Sequence, residues 1–539
     1  MQYITLIFNF SLSILYFSFG CGAAAAGYFS LCAQEGGMQD NPGRLSFDGP
    51  TIKDLDVAKT FSRQVNASLA GVLDRNYVYP DRRYRDGSPS DYPAGTLHSA
   101  PRGTGHWASM WTRDVGVFLR ELAMWGYIEH AKLTASTLID LVSLNEEGFY
   151  TYPEQLGKTQ SSGHELDGTA AIVIAMIRIW QRLPADDPIR KKIYDFLHAE
   201  TSPLKYVCMR LDKAPLIAGT GEFGPGCWIS GSYCNVVQNN LCRLALIAGA
   251  DFEEEAGNKQ EEQLYRNKAA ELSGNMLKYL VDSKDGKWIW CVKPSDLQPD
   301  PEILNAEVNR GAGLINGVGC MLSDAVGFDL NAAEWQGDKS CEATFEKLYN
   351  TEPRKKYFDE IGIWTQFDPP FRDGKNASPS YGQGYALQYM LLSDRLTMAG
   401  KALDWLARVT NQGAHPEWFV EQMNYPFEKG NYFLNVVNVS EPLKVARLIL
   451  GVDDARLDEA RLIPRPIGAI TSIEANNWSI RTSAGVVQAD IKYELKKGKM
   501  SVSIRVRDGK TIPALKLRVP EGDAFVWKTA VNVQKLEIP

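Results

Sequence analysis

The chain has 539 residues, of which 44% are hydrophobic and 23% are charged, so it is not a disordered, collagen-like or coiled-coil protein. Lys and Arg number 58 against 65 Asp and Glu, a net charge of −7, so there is no basic excess to hold nucleic acid. At roughly 150 residues per domain, one large domain and one smaller domain are expected.

The amino terminus is apolar. Residues 4–31 are mostly apolar and contain no charged side chain, and the first basic residue of the chain is Arg44. This run predicts a secretory signal over residues 1–33, with a membrane anchor as the alternative. The sequence Ser-Phe-Gly-Cys at 18–21 resembles a bacterial lipidation box, a second form of membrane tether. We therefore expect an exported protein, with a linker over residues 34–55.

Residues 56–454 show mostly helical periodicity. In the first segment, apolar residues recur at Val57, Phe61, Val65, Leu69 and Leu73. Further helices are predicted near 115–125, 132–143, 173–180, 187–199, 234–249, 262–282, 311–327, 341–350, 383–397, 399–411 and 437–450. Long loops join them at 76–113, 146–166, 213–233, 284–310 and 352–382. Such loops are where binding and catalytic residues concentrate, because the helices fix where they point.

The pattern changes to a period of two after Pro464 and Pro466. Alternating runs occupy 501–507, 515–519 and 533–538, and Gly-containing turns separate them. Residues 455–539 are therefore predicted to form a small antiparallel β-domain. The fold class is mainly α, followed by this β-domain.

Metal and cofactor motifs are absent from the sequence. The cysteines beyond residue 32 have no C-x-x-C spacing, so most are predicted to be buried thiols, with one bridge between positions 227 and 242 left open. The six histidines have no close metal-ligand spacing, and neither G-x-S-x-G nor G-x-G-x-x-G occurs where its chemistry needs it. We expect no metal and no cofactor.

The first candidate site segment is Trp111-Thr112-Arg113-Asp114, which opens a predicted helix. Asp114 stands where it could cap that helix. Capping does not explain an indole and a guanidinium in the same loop, whereas a sugar needs an aromatic platform beside a charged hydrogen-bonding pair. Asp167 precedes the next strongly periodic helix and is assigned the same two roles.

The second candidate segment is the Gly-rich loop 219–228. Glu222 is its carboxylate, and Trp228 and Phe223 could raise the pKa of Glu222 by desolvation, as a proton donor requires. Glu302 and Glu307 compete with Glu222 for this acid role.

The third candidate segment runs from His415 to Tyr425 and places Glu417 and Glu421 four residues apart among aromatic side chains, including Trp418. If the segment were helical, the two carboxylates would share a face. One of them could act as a base and the other as a supporting acceptor.

Together these segments resemble the six-hairpin glycosidases, a superfamily with an (α/α)6 barrel that includes glucoamylase-like and rhamnosidase-like enzymes. Residues 111–114 resemble its W-x-R-D segment, which contacts the sugar in the catalytic subsite, and residues 166–170 resemble the D-G-x-A helix start of glucoamylases. Residues 232–249 resemble the barrel helix after the acid-bearing loop, and residues 416–422 resemble the late loop that holds the catalytic base.

The resemblance implies an (α/α)6 barrel over residues 56–454, with Glu421 as the base and Arg113 and Asp114 gripping the sugar. Rhamnosidase-like members also carry a C-terminal β-domain. The double-glutamate acid segment of glucoamylases is absent here, so Glu222 as the acid is inferred from its position in the loop.

The predicted function is therefore that of an exported glycoside hydrolase acting on an oligosaccharide or polysaccharide by inversion, with Glu222 as acid and Glu421 as base. The substrate-binding residues are predicted to be Trp111, Arg113, Asp114, Asp167, Trp228, Glu417 and Trp418. Three alternatives stay open: a phosphorylase of the same fold, a non-catalytic glycan-binding protein, and a lyase or epimerase with His164 or His415 as base.

Overall fold

The structure is a computed structural model, and it describes residues 40–539 with several gaps. The gaps are residues 41, 54, 105–107, 157–165, 220–231, 300–337, 349, 351–353, 362–382, 413–414, 421–433, 508, 522–523 and 539. The predicted signal or anchor, Glu222, Trp228, Glu302, Glu307 and Glu421 therefore lie outside the described residues. Residues 39–539 form one compact unit.

Helices make up most of the described chain before residue 451. They are α1 (Val57–Asn76), α2 (Thr112–Met124), α3 (Ile128–Leu141), α4 (Leu166–Trp180), α5 (Pro188–His198), α6 (Pro203–Lys213), α7 (Val236–Ala256), α8 (Lys259–Tyr279), α9 (Asp338–Leu348), α10 (Arg354–Ile361), α11 (Gln383–Leu392), α12 (Leu396–Gln412) and α13 (Val436–Leu450). The sequence predicted most of them, but α6 was not expected and α10 lies in a segment predicted to be a loop. The helix expected over 383–397 ends at Leu392, because Asp394 adopts φ +56° in a turn.

Two of the helices are buried on every side. Every residue of α4 and of α13 is buried, as expected for a helix surrounded by other elements. Five helices pack side by side in an arc whose order is α11, α13, α2, α4 and α7. Other helices pack against this arc, α1 on α13, α3 on α2, α8 on α7 and α12 on α11, and α1 and α8 keep polar faces exposed. The described chain thus contains an inner layer and an outer layer of helices.

The β-region consists of two sheets. The five-stranded sheet has the order β1 (Arg44–Asp48), β10 (Ser472–Thr482), β11 (Gly485–Lys496), β12 (Lys499–Val506) and β15 (Lys535–Ile538). The four-stranded sheet has the order β14 (Ala524–Val533), β13 (Ile512–Glu521), β9 (Ala460–Leu462) and β8 (Val452–Asp453). A two-residue turn joins β11 to β12 at Lys497 and Gly498, both with positive φ, so the turn predicted there is confirmed.

Two sequence expectations for the β-region need correction. Residues 44–48 lie in the predicted linker, but they form β1 and pair antiparallel with β10, because Leu45 and Phe47 alternate with exposed residues and bury their side chains. The sheets are also not wholly antiparallel, since β9 and β13 run parallel. The remaining strands are short two-residue pairs among the helices: β2 (Met110–Trp111) with β5 (Gln155–Leu156), β3 (Ser143–Leu144) with β4 (Tyr150–Thr151), and β6 (Cys234–Asn235) with β7 (Cys291–Val292).

The described cysteines are buried thiols. Cys208, Cys234 and Cys242 form no disulfide bond, so the bridge to position 242 that the sequence left open does not form. Burial raises the pKa of Cys208 to about 12, which keeps that thiol protonated and unreactive. Among the helices of the described residues, none combines the length and the hydropathy needed to cross a membrane.

Candidate active site

The first site segment lies where β2 ends and α2 begins. Trp111 is the last residue of β2 and the N-cap of α2, and its side chain makes no capping bond. Asp114 is therefore not the cap that the sequence suggested. It lies in the first turn of α2, where the helix dipole favours a negative charge. Arg113 and Asp114 are each 5% exposed, so this turn carries two buried charges.

A second carboxylate meets Arg113 from the next helix of the arc. Arg113 Nη1 lies 3.3 Å from Asp167 Oδ2, and Arg113 Nη2 lies 3.9 Å from Asp114 Oδ1. The other oxygen of Asp167 accepts a hydrogen bond from the Gly168 N–H at 2.8 Å. Buried charges need such partners, because an unpaired one carries a desolvation cost of several kcal/mol. Asp167 thus holds the Arg113 guanidinium in place at the start of α4.

Close packing between the first turns of α2 and α4 brings these residues together. A Cβ on Gly168 would lie 2.4 Å from Thr112 Oγ1, so only glycine permits this approach. Thr112 Oγ1 donates to the Pro153 carbonyl at 2.9 Å, and the Tyr152 N–H donates to Thr169 Oγ1 at 3.0 Å. The segment before α4 therefore ties both helix starts to one position.

The ends of the Gly-rich loop are fixed at the start of α7. Gly219 and Tyr233 exchange backbone hydrogen bonds of 3.1 and 3.2 Å. The Asn239 side chain accepts from the Ile217 N–H at 2.8 Å and donates to the Ile217 carbonyl at 3.0 Å. Glu222 and Trp228 belong to the loop between these ends and lie outside the described residues, so their roles stay predictions.

The third segment packs against α1. Residues 415–420 are not helical, and Glu417 is exposed, with its carboxylate 3.7 Å from Arg63. The Trp418 ring lies 4.2 Å below the Arg75 guanidinium and stacks on His415 at 4.7 Å. Glu417 and Trp418 thus pack against α1, whereas Arg113, Asp114 and Asp167 form a cluster of their own. Phe419 and Val420 are buried and lead directly to Glu421 in the sequence.

One buried loop residue, Ser99, links two parts of this region, and sequence reasoning missed it. Its hydroxyl accepts the Trp111 N–H at 3.0 Å, its N–H donates to the Ser109 carbonyl at 2.9 Å, and its carbonyl accepts the Val436 N–H at 2.8 Å. A serine inside a long loop gives no local signal, because its partners are distant in the chain.

The neighbouring His98 is also buried. Its Nδ1 donates to the Ala108 carbonyl, so its Nε2 is the acceptor for the Tyr84 hydroxyl at 3.1 Å. Burial lowers the pKa of His98 to about 4, and the imidazole is neutral at physiological pH.

A buried ion pair joins α2 to α13 further along both helices. Glu121 accepts two hydrogen bonds of 3.0 Å from Arg447, and Arg120 lies 3.3 Å from the same carboxylate. Burial opposes ionisation of Glu121, but the arginines outweigh it and lower the pKa of the carboxyl. Because the two helices meet both near their starts, through Ser99, and near their ends, they run in the same direction.

Metal ligation finds no support among the residues described. No group of three or more His, Cys, Asp or Glu side chains in that part of the chain is arranged to hold a metal ion.

Solved structures of glycoside-processing enzymes share this fold. An α-L-rhamnosidase from Dictyoglumus thermophilum is similar over 92% of this chain and 50% of its own, with a TM-score of 0.53 and 10% identity. A rhamnosidase of Bacillus sp. GL1 covers 88% of this chain and 43% of its own, with a TM-score of 0.54 and 14% identity. A glucoamylase from Saccharomycopsis fibuligera covers 75% of this chain and 96% of its own, with a TM-score of 0.54 and 13% identity.

These likenesses show that the chain has the six-hairpin glycosidase-like fold, and the predicted resemblance is confirmed at that level. The chain spans about half the length of the two rhamnosidases. No protein-family model and no curated protein sequence matches the chain.

Proposed function

We propose that the protein is an exported glycoside hydrolase that cleaves an oligosaccharide or polysaccharide with inversion. The observation that carries this proposal is the buried cluster of Arg113, Asp114 and Asp167 beside Trp111, at the starts of two adjacent inner helices. A paired guanidinium and carboxylates can orient several sugar hydroxyls at once, and an indole matches the apolar face of a sugar ring.

The proposed fold is a closed (α/α)6 barrel. The arc from α11 through α13, α2 and α4 to α7 supplies five inner helices. The helix that the sequence predicts over 311–327 would be the sixth and would close the ring between α7 and α11. In this arrangement the loops before each inner helix converge on one mouth, where Trp111, Asp114 and the ends of the Gly-rich loop belong.

In the proposed mechanism Glu222 protonates the leaving oxygen and Glu421 deprotonates the attacking water. Inversion needs the two carboxyl groups about 6.5–9.5 Å apart so that a water fits between the base and the sugar. Trp228 is proposed to line the acid side of the site. Glu417 and Trp418 stay predicted substrate contacts, and their packing on α1 also fixes the segment that leads to Glu421.

The test is turnover of a panel of aryl glycosides and oligosaccharides by wild type, Glu222→Gln and Glu421→Gln. Each variant should lose at least about 100-fold in kcat, the usual size of a general acid or base contribution, and should keep its affinity for substrate. The matched control is Glu271→Gln, since Glu271 lies on α8 with its side chain 43% exposed. This control should turn over like wild type.

Product stereochemistry tests the mechanism separately. NMR of the first product formed should show the anomer opposite to that of the substrate. Retention of configuration, or full activity of Glu421→Gln, contradicts the proposal. Turnover only in the presence of phosphate would instead identify a phosphorylase, and binding without any turnover by wild type would identify a glycan-binding protein.

A further inference from the structure

Ser99 lies beside β2 in the position of a neighbouring strand. Successive N–H groups of an extended strand point to opposite sides. The Thr112 N–H points toward β5 and donates to the Glu154 carbonyl at 3.0 Å, so the Trp111 N–H points the other way and meets Ser99 Oγ. On that side, Ser99 also donates its own N–H to the Ser109 carbonyl. Trp111 is therefore held between β5 and Ser99.

The Ser99 hydroxyl substitutes for a backbone carbonyl at this point. In a parallel strand pair a residue that donates to the Ser109 carbonyl would accept the Trp111 N–H with its own carbonyl. That carbonyl is turned to the Val436 N–H, the first of α13, at 2.8 Å. Only the side chain is left to accept from Trp111, and Ser99 is 0% exposed, so water cannot take its place.

One residue consequently connects two parts of the proposed site. Trp111 carries the indole platform, and Val436 begins the helix that follows the segment containing Glu421. Asn76 strengthens the same junction, since its side chain donates to the carbonyls of His98 and Leu434, each at 3.2 Å. A shift of Ser99 relative to Trp111 would move the Trp111 indole relative to the segment that contains Glu421, the proposed base.

We propose that the Ser99 hydroxyl positions the Trp111 indole for the substrate, so that Ser99 is a positioning residue of the hydrolase. This inference rests on the proposed function. A misplacement of about 1 Å at a reacting sugar can cost on the order of 100-fold in rate. A single hydrogen bond that fixes the position of the Trp111 indole therefore affects turnover.

The test compares Ser99→Ala with Ser62→Ala. Ser62 is a buried serine whose hydroxyl likewise accepts a strand N–H, from Phe47 at 2.6 Å, but it links α1 to β1. The melting temperature should fall by a similar amount in the two variants, since each leaves one buried N–H without its acceptor. Ser99→Ala should lose about tenfold or more in kcat/KM, whereas Ser62→Ala should keep the wild-type value.

Two further variants separate positioning from folding. Ser99→Thr keeps the hydroxyl and should recover most of the lost kcat/KM. Ser99→Cys keeps the shape of the side chain but offers a weak acceptor, so its kcat/KM should lie between those of Ser99→Ala and wild type. This variant replaces Ser99→Ala in the test if Ser99→Ala does not fold. In a double-mutant cycle with Trp111→Ala, the Ser99→Ala effect should largely disappear, because Ser99 acts through the indole that is already removed.

Wild-type kinetics in Ser99→Ala would overturn the inference, as would a Ser99→Ala loss that is undiminished in the Trp111→Ala background. Both results leave the proposed function standing, because wild type still turns over. Absence of turnover by wild type on every glycoside tested removes the proposed function itself, and the positioning role with it.

Discussion

Asp167 combines two tasks in one carboxylate. One oxygen accepts the N–H of the next residue at the start of α4, and the other holds Arg113 of the adjacent helix. The sequence predicted that Asp167 would both cap α4 and contact the substrate. Asp167 instead lies in the first turn of α4, and its substrate contact stays a prediction. Arg113 in turn lies between Asp167 and Asp114, so the geometry of the proposed sugar grip depends on two helix starts and not on either one alone.

His98 gives the region a pH dependence that can be measured. The pKa of its imidazole falls from 6.5 to about 4 on burial. Between these values the unfolded chain binds a proton that the folded chain does not, so stability is full above about pH 6.5 and is lost as the pH falls toward 4. The loss amounts to on the order of 3 kcal/mol. His98→Asn should flatten the curve of unfolding free energy against pH in this range.

The control for this prediction is Tyr84→Phe, which removes the hydroxyl at Nε2 but keeps a buried imidazole. Its unfolding free energy should show the same slope with pH as that of wild type. Equal slopes for wild type and His98→Asn in denaturant titrations at pH 4.5, 5.5 and 6.5 would contradict the assignment to His98, since the charge change would then reside elsewhere.

The packing of α2 against α4 depends on a small residue at the contact. A Cβ placed on Gly116 would lie 2.8 Å from the backbone of Ala171, closer than real Cβ atoms approach such neighbours. Because every residue of α4 is buried, that helix has little room to move away. The same two helices carry Arg113 and Asp167 at their starts, so their separation sets the proposed site.

Gly116→Ala should lower the free energy of unfolding by about 1–3 kcal/mol, the cost of overpacking a filled interior. The matched control is Gly274→Ala in α8, where an added Cβ would have no atom within 4 Å. This control should be more stable by about 0.5–1 kcal/mol, because alanine favours the helix more than glycine does. Urea denaturation measures both changes, and destabilisation of equal size in the two variants would contradict the close approach.

Periodicity predicted the existence of most helices because each buries a stripe of apolar residues. The apolar positions Val173, Met176, Ile177 and Trp180 lie within α4, as expected. Shorter elements escaped this reasoning. α10 has eight residues and β1 has five, too few for the periodicity of either to stand out in segments that were assigned as a loop and a linker.

The partnerships within the site could be predicted only in part. Local patterns single out Asp114 and Asp167 as carboxylates at helix starts, and Trp111 and Arg113 because capping does not explain an indole and a guanidinium in the same segment. The pairing of Arg113 with Asp167 spans 54 positions of the chain, and the role of Ser99 depends on Val436, so both need the tertiary structure. The third segment illustrates the same limit, since its sequence left open whether it is helical, and Glu417 lies in non-helical chain against α1.

Charged residues join the helical part to the β-region in the interior of the molecule. Arg182, just beyond α4, donates two hydrogen bonds of 2.8 and 2.7 Å to Asp454. Asp454 also accepts the Arg481 N–H from β10 at 2.8 Å, and the Arg481 guanidinium pairs with Glu255 at the end of α7. Burial opposes ionisation of Asp454, but Arg182 outweighs it and lowers the pKa of the carboxyl. The β-region is therefore anchored to two inner helices.

Asp454→Asn should lower the free energy of unfolding by about 3–5 kcal/mol, because it leaves Arg182 buried without a counter-charge. Asp140→Asn is the control. Asp140 is 67% exposed and pairs with Lys192 at 2.7 Å, so its loss should cost less than about 1 kcal/mol. Calorimetry should also show one transition for wild type. Separate melting of the β-region in wild type, or a cost for Asp454→Asn no larger than that for Asp140→Asn, would contradict the anchoring.

The pairing of β1 with β10 has a consequence for biosynthesis. Ser46 and Glu474, which face each other in this sheet, are 428 positions apart. Translation proceeds at about 5–20 residues per second, so β10 is synthesised roughly 20–90 s after β1. During that interval the backbone edge of β1 is open to other nascent strands. A chaperone that covers the first fifty residues until termination would raise the yield of native protein, and slow codons in the middle of the message would lower it.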